Sequence, residues 1–212
     1  MSKTTYDLKV LTRGKRIEEL LKANNYSEDR IKFFLKSLML VVQRRAGKKN
    51  TFYLMGRSNS GKSMLMETFV RAYFNHNFGS PNGNVKSSFP FAVCICKRIL
   101  LWEEPIVNAI NFEDAKKVLG GQQHRTDQKY QTGAEISSTP VIMTSNRPVW
   151  AVVPTEVEVF KNRCFIFNLN VPIDPASNLI PILKIDWDIF INTYLYECSL
   201  NTIAYRMDNQ VF

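Results

Sequence analysis

The sequence predicts an α/β fold, a parallel sheet flanked by helices. Three observations predict it. Short apolar runs, Phe52-Tyr53-Leu54-Met55, Ile99-Leu100-Leu101-Trp102, Val141-Ile142-Met143-Thr144 and Cys164-Phe165-Ile166-Phe167, read as buried strands. Helical stretches alternate with them, and that alternation implies parallel pairing. A glycine-punctuated loop, Gly56 to Gly61, joins the first strand to the helix behind it.

In chain order, the first fifty residues are helical. Ile17, Leu20 and Leu21, then Ile31, Phe34, Leu35, Leu38, Met39 and Val42, recur at three-and-four spacing. Ser27 followed by Glu28 and Asp29 supplies an N-cap with acids in the first turn, where the helix dipole favours them. The helix is expected to end at Gly47, in the basic linker Arg44 to Asn50. The strand at Phe52 to Met55 leads through its loop into a helix from Lys62 to about Asn75. Asn75 to Ser88 reads as a loop rich in Asn, Gly and Ser. Phe112 to Leu119 is a short helix, Gln122 to Ile136 a polar segment with hairpin character, and Trp187 to Tyr205 has helical spacing again.

Composition bounds the function. The 212 residues are 45% hydrophobic and 12% aromatic, enough for a substantial core. No apolar run reaches the eighteen or so residues that a membrane span needs. Met1 to Val10 is polar, with no secretory apolar stretch. Cys94, Cys96, Cys164 and Cys198 lack metal-ligand spacing, so free thiols in a reducing, intracellular compartment are expected. Lys and Arg number 28 against 19 acids, a formal charge of +9 that favours a polyanionic partner.

Gly56-Arg57-Ser58-Asn59-Ser60-Gly61-Lys62-Ser63 fits the phosphate-binding loop pattern in its required strand–loop–helix context. Glycines let backbone N–H groups turn inward around a phosphate, and the helix N-terminus adds partial positive charge. Lys62 would reach the outer phosphates and the Ser63 hydroxyl would bind Mg²⁺. Glu103-Glu104 follows the second buried strand. A carboxylate at the C-terminal end of a strand beside a P-loop strand can hold Mg²⁺, and a second can polarise the attacking water. An acidic turn before Pro105 is the plainer reading, but the P-loop about forty residues upstream favours the functional one. Asn146, in Thr144-Ser145-Asn146, is either a strand-end amide holding a water or a turn former ahead of Arg147-Pro148. Arg163 is either a capping charge or a finger reaching a neighbour's nucleotide. After Gly120-Gly121, the stretch carrying His124, Arg125 and Lys129 suits a projecting hairpin that touches phosphates.

These motifs, in this order, resemble those of superfamily-three helicases: Gly56 to Ser63, Leu101-Trp102-Glu103-Glu104, Leu119-Gly120-Gly121 with Asp127-Gln128-Lys129, Pro140 to Asn146, and Asn162-Arg163. The helicase domain of parvovirus large nonstructural proteins is the most similar, and Phe89-Pro90-Phe91 fits its pattern. The Trp-Glu-Glu-Pro junction leans toward the arthropod densoviruses. The resemblance covers Thr51 to about Asn170. It implies an AAA+-like P-loop ATPase over residues 51–212, with residues 1–50 as a helical oligomerisation collar. It assigns phosphate and Mg²⁺ to Lys62 and Ser63, metal to Glu103, water polarisation to Glu104, a sensor to Asn146 and a trans-acting finger to Arg163. Lys129, with His124 and Arg125, would line a ring's channel and grip single-stranded DNA; Gln131 stands where relatives often carry a second lysine. The implied protein is an ATP-dependent three-prime to five-prime DNA helicase working in the host nucleus as a homo-oligomeric ring, with a hexamer expected. The family's nicking domain carries a His-hydrophobic-His motif. Only His76 and His124 occur here, so that activity is expected on a partner domain. Two other classes stay open on the residues alone, a P-loop nucleoside or small-molecule kinase and a DNA-binding assembly module gated by nucleotide.

Overall fold

The computed structural model describes residues 14–81, 91, 94–108, 111–128, 131–136, 138–151, 154–173 and 181–195, with only the backbone described for 124–128 and 131–136. Helices α1 (Arg16–Ala23) and α2 (Glu28–Val42) precede strand β1 (Thr51–Met55) and helix α3 (Lys62–Phe74). Strands β2 (Phe78–Gly79) and β3 (Ile99–Glu103) follow, then α4 (Phe112–Leu119). A hairpin of β4 (His124–Gln128) and β5 (Gln131–Ile136) leads to β6 (Val141–Ser145), α5 (Val157–Lys161), β7 (Cys164–Asn168) and α6 (Lys184–Leu195).

Five strands form one parallel sheet in the order β2-β3-β6-β1-β7. This order corrects one expectation from the sequence. The acid-bearing β3 does not lie beside the P-loop strand β1, because β6 is inserted between them. The hairpin pairs antiparallel, with an irregularity between Thr126 and Gln128.

The strands alternate between two cores, as period-two side chains must in a sheet covered on both faces. Phe52, Leu54, Leu101, Ile142 and Phe167 face α1, α2, α3 and α6. Tyr53, Leu100, Trp102, Val141, Met143 and Cys164 face α4 and α5. On the first face Phe34, Phe52 and Phe167 meet with ring centroids 4.9 to 5.1 Å apart. Each such ring pair adds about 0.5–1.5 kcal/mol to what its burial contributes. The N-terminal helices thus share one apolar cluster with the sheet.

Several boundaries have local causes. Ser27 caps α2 by accepting the Arg30 N–H at 3.3 Å. That helix stops at Val42, short of the expected Gly47. Arg44 turns left-handed at φ +57, and Arg45 N–H reaches back to Leu40 O at 2.8 Å, which closes the helix end. Strand β2 lies in the segment expected to be loop, and α5 has only five residues. Helix α6 starts at Lys184, ahead of the expected Trp187. Buried Asp186 accepts the Leu183 N–H at 2.8 Å and the Gly14 N–H at 2.7 Å, with Arg16 Nη1 3.8 Å away. This staple ties the start of α6 to the residues before α1. The continuation toward Tyr205, along with Phe89-Pro90, Lys129 and Cys198, lies outside the described residues.

Candidate nucleotide site

Parallel pairing places the C-terminal ends of β1, β6 and β3 side by side, so the loops that follow them converge. The first is the loop from Gly56 to Gly61. Its geometry requires glycine at Gly56, where φ is +148 and an added Cβ would lie 1.9 Å from Leu169 O. Asn59 and Gly61 are left-handed as well, at φ +60 and +86. The loop is pinned by Gly56 N–H to Ser145 O at 3.1 Å and by Ile173 N–H to Asn59 O at 2.7 Å. Gly61 opens α3 with no side-chain cap. The first N–H groups of that helix therefore have neither an intrahelical partner nor a side-chain cap, which is the arrangement that receives an anion.

Lys62 lies in the first turn of α3, and its side chain folds back over the loop. Its ammonium donates to Arg57 O at 2.7 Å and to Asn146 Oδ1 at 3.0 Å. Burial lowers its pKa, and the nearby Glu104 carboxylate opposes that shift. Ser60 closes the loop by donating its hydroxyl to Arg57 O at 2.8 Å. Arg57, Ser58 and Ser63 are exposed on the same loop and helix start.

The next loop is carried by β3. Glu103 ends the strand and is exposed. Glu104 takes φ +44, a left-handed conformation that costs a non-glycine residue about 1–2 kcal/mol. It is held there by its N–H to Thr144 O at 2.8 Å. Its carboxylate oxygens accept the Asn146 N–H at 3.1 and 3.2 Å. Asn146, just beyond β6, therefore touches both partners: its N–H meets Glu104 and its side-chain oxygen meets Lys62. The inserted strand brings lysine, amide and acid into one polar chain.

Tyr53 supports that chain from beneath, and nothing in the sequence reading singled it out. Its buried hydroxyl shares a hydrogen bond with Ser145 Oγ, lies 3.1 Å from Arg147 O and accepts the Val149 N–H at 3.1 Å. Burial pushes its pKa up to about 12. The available signal was a hydroxyl within an otherwise apolar strand, which needs a partner once buried.

Arg163 lies elsewhere. It precedes β7, whose first residue pairs with Thr51, whereas the P-loop follows the opposite end of β1. Its guanidinium donates to Lys116 O at 3.0 Å and Val159 O at 2.8 Å, bracing α4 and α5. Roughly 17 Å of strand separates it from the P-loop of its own chain, beyond the reach of an arginine. His124 and Arg125 are on β4 of the hairpin, away from the Lys62 cluster in sequence and sheet.

The donor set suits the phosphates of a nucleotide: an uncapped helix start, a loop with no room for a Cβ at Gly56, and the ammonium of a buried lysine. Ser63 and Glu103 are the residues that would hold Mg²⁺. A parallel sheet whose P-loop strand is separated from its acid strand by an amide-bearing one defines a P-loop nucleotide-binding protein. Within that class the chain belongs to the parvovirus non-structural protein NS1 family, whose family model matches residues 3–211. It is 34% identical over 149 residues to protein Rep52 of adeno-associated virus 2, covering 70% of this chain and 36% of that protein. It is 30% identical over 119 residues to the initiator protein NS1 of Bombyx mori densovirus, covering 56% of this chain and 13% of that protein. The chain thus spans about a third or less of the curated relatives it matches. Among solved structures, the C-terminal region of NrS-1 shares the fold with a TM-score of 0.56 at 17% identity, over 90% of this chain and 45% of that one.

Proposed function

We propose that this chain is the ATP-driven motor of viral DNA replication, a helicase that translocates on single-stranded DNA as a homo-oligomeric ring, with a hexamer expected. The observation that carries the reading is the polar chain Lys62–Asn146–Glu104, formed where three parallel strands end together. Lys62 and the loop N–H groups bind and orient the triphosphate of ATP. Glu104 takes the proton of the attacking water, and Asn146 sets the distance between that carboxylate and the lysine. Mg²⁺, when bound by Ser63 and Glu103, neutralises charge on the phosphate oxygens. Arg163 supplies its guanidinium to the nucleotide of an adjacent copy. The hairpin, with Lys129, His124 and Arg125, faces the DNA, and the net charge of +9 supports a polyanionic partner. Work in the host nucleus and a separate nicking domain complete the proposal.

ATP turnover with and without single-stranded DNA tests it. Glu104→Gln should bind nucleotide at the parental affinity and lose about 10² to 10⁴ in turnover, since an amide cannot take the proton. Lys62→Ala should lose turnover together with nucleotide binding. Parental turnover by Glu104→Gln would remove Glu104 as the base.

A further inference from the structure

The opposite end of the sheet carries a second polar device that this mechanism has not used. Asn50, immediately before β1, is 5% exposed. Its side-chain NH₂ donates to Thr139 O at 2.7 Å and to Val118 O at 3.3 Å. These two carbonyls flank the hairpin: Val118 is on the way in and Thr139 on the way out. A single carboxamide therefore spans the hairpin's neck and spends both its hydrogens there.

The surroundings are built around this contact. The Thr51 hydroxyl donates to Leu119 O at 2.9 Å, and the Ser138 hydroxyl donates to Gly121 O. Gly121 sits at φ +63, where a Cβ would lie 2.7 Å from Asn50 Cγ and 3.0 Å from Asn50 Cβ. The backbone of Asn50 is fixed too, since its carbonyl accepts the Val141 N–H at 3.0 Å. Arg163 closes the ring of contacts: its carbonyl accepts the Thr51 N–H at 3.2 Å, and its Nε would lie 3.1 Å from a Cβ at Gly120.

We propose that Asn50 is the coupling post of the motor, a positioning residue that transmits movement of β1 into the hairpin. The proposal rests on the motor reading above. Strand β1 is bonded along its length to β6 and β7, so it moves as a rod. Its far end opens directly into the P-loop, and its near end holds the hairpin neck through Asn50 and Thr51. Without the carboxamide, the Thr51 hydroxyl is the remaining side-chain tie between the rod and the neck, and the hairpin follows β1 less closely.

The experiment measures ATP turnover of the full chain with and without single-stranded oligonucleotide, and takes the ratio. Asn50→Ala should keep basal turnover close to the parental value while its stimulation by DNA falls about tenfold, the size of an ordinary coupling between sites. A purely structural loss lowers both rates in proportion to the folded fraction and leaves the ratio alone. Thr51→Val removes the neighbouring neck bond with little change of shape, and should lower the ratio in the same direction by less. An unchanged ratio in Asn50→Ala overturns the proposal. So does an Asn50→Ala protein that fails to fold alongside a Thr51→Val protein with the parental ratio, because Asn50 is then a structural residue only. A parental protein that DNA does not stimulate overturns the motor reading itself, a result distinguishable from either of these.

Discussion

The two ends of the sheet use polar side chains in opposite ways. At the nucleotide end, side chains contact another side chain or a loop N–H: buried Lys62 meets Asn146 Oδ1, and exposed Glu104, on left-handed backbone, meets the Asn146 N–H. At the hairpin end, the side chains of Asn50, Thr51 and Arg163 all donate to backbone carbonyls near helix ends and the neck. Contacts of the first kind exchange partners at little cost, because water or phosphate can replace each of them. Contacts of the second kind tie one stretch of main chain to another, and losing one frees that stretch even where, as at Lys116 O and Val118 O, the carbonyl keeps a backbone N–H. One end is arranged to switch and the other to hold.

Arg163 is the residue that would break this division, since it braces the holding end yet is assigned to a neighbour's nucleotide. As a trans finger, Arg163→Ala should bind ATP normally and lose about 10³ to 10⁵ in turnover. Mixing it with Lys62→Ala should restore part of the activity in a concentration-dependent way, because the intact P-loop of one mutant meets the intact finger of the other. A mixing curve lying on the two mutants' own baselines would leave Arg163 as a brace for α4 and α5.

The switching end still needs one rigid point, and Gly56 supplies it. Gly56→Ala forces a Cβ against Leu169 O and should cost about 3 to 5 kcal/mol of stability, measured by chemical denaturation. Tyr53 stands between the two ends. Tyr53→Phe should lose about 1–3 kcal/mol, because the Val149 N–H is left buried without its acceptor. The parental protein should also lose stability as pH rises from 10 toward 12. Over that window the folded state keeps the Tyr53 proton that the unfolded chain has released, and Tyr53→Phe should lack this component. The smallest effect belongs to the hairpin. Lys129→Ala should leave basal turnover alone and flatten the salt dependence of DNA binding by roughly one ion, seen in titrations at several ionic strengths.

The same division explains what the sequence made legible. The P-loop could be read because its chemistry is local: Gly56, Gly61, Lys62 and Ser63 act within eight residues of one another. The buried strands and the hairpin were legible for a related reason, since apolar runs and turn residues report on their own backbone. The insertion of β6 between β1 and β3 was not legible. Strand order depends on pairings between segments about forty and ninety residues apart, and no single segment encodes them. Strand β2 was missed because two residues carry no period, and the end of α2 because Arg44, not glycine, takes the left-handed turn. Asn50 resembled any polar residue in a basic linker. Its two acceptors come from residues 68 and 89 positions away, so its role exists only in the folded chain.

The staple between Gly14 and Asp186 has a consequence for synthesis. The two groups are 172 residues apart, and α6 packs on α1, α2 and α3. A ribosome adding about 5 to 20 residues per second therefore leaves the apolar faces of α1 and α2 waiting roughly 10 to 30 s for their last cover. Through that interval the nascent chain presents Ile17, Leu20 and Leu21 to whatever binds exposed apolar helices. Yield in a host cell should then depend on chaperone capacity as well as on the stability of the finished protein.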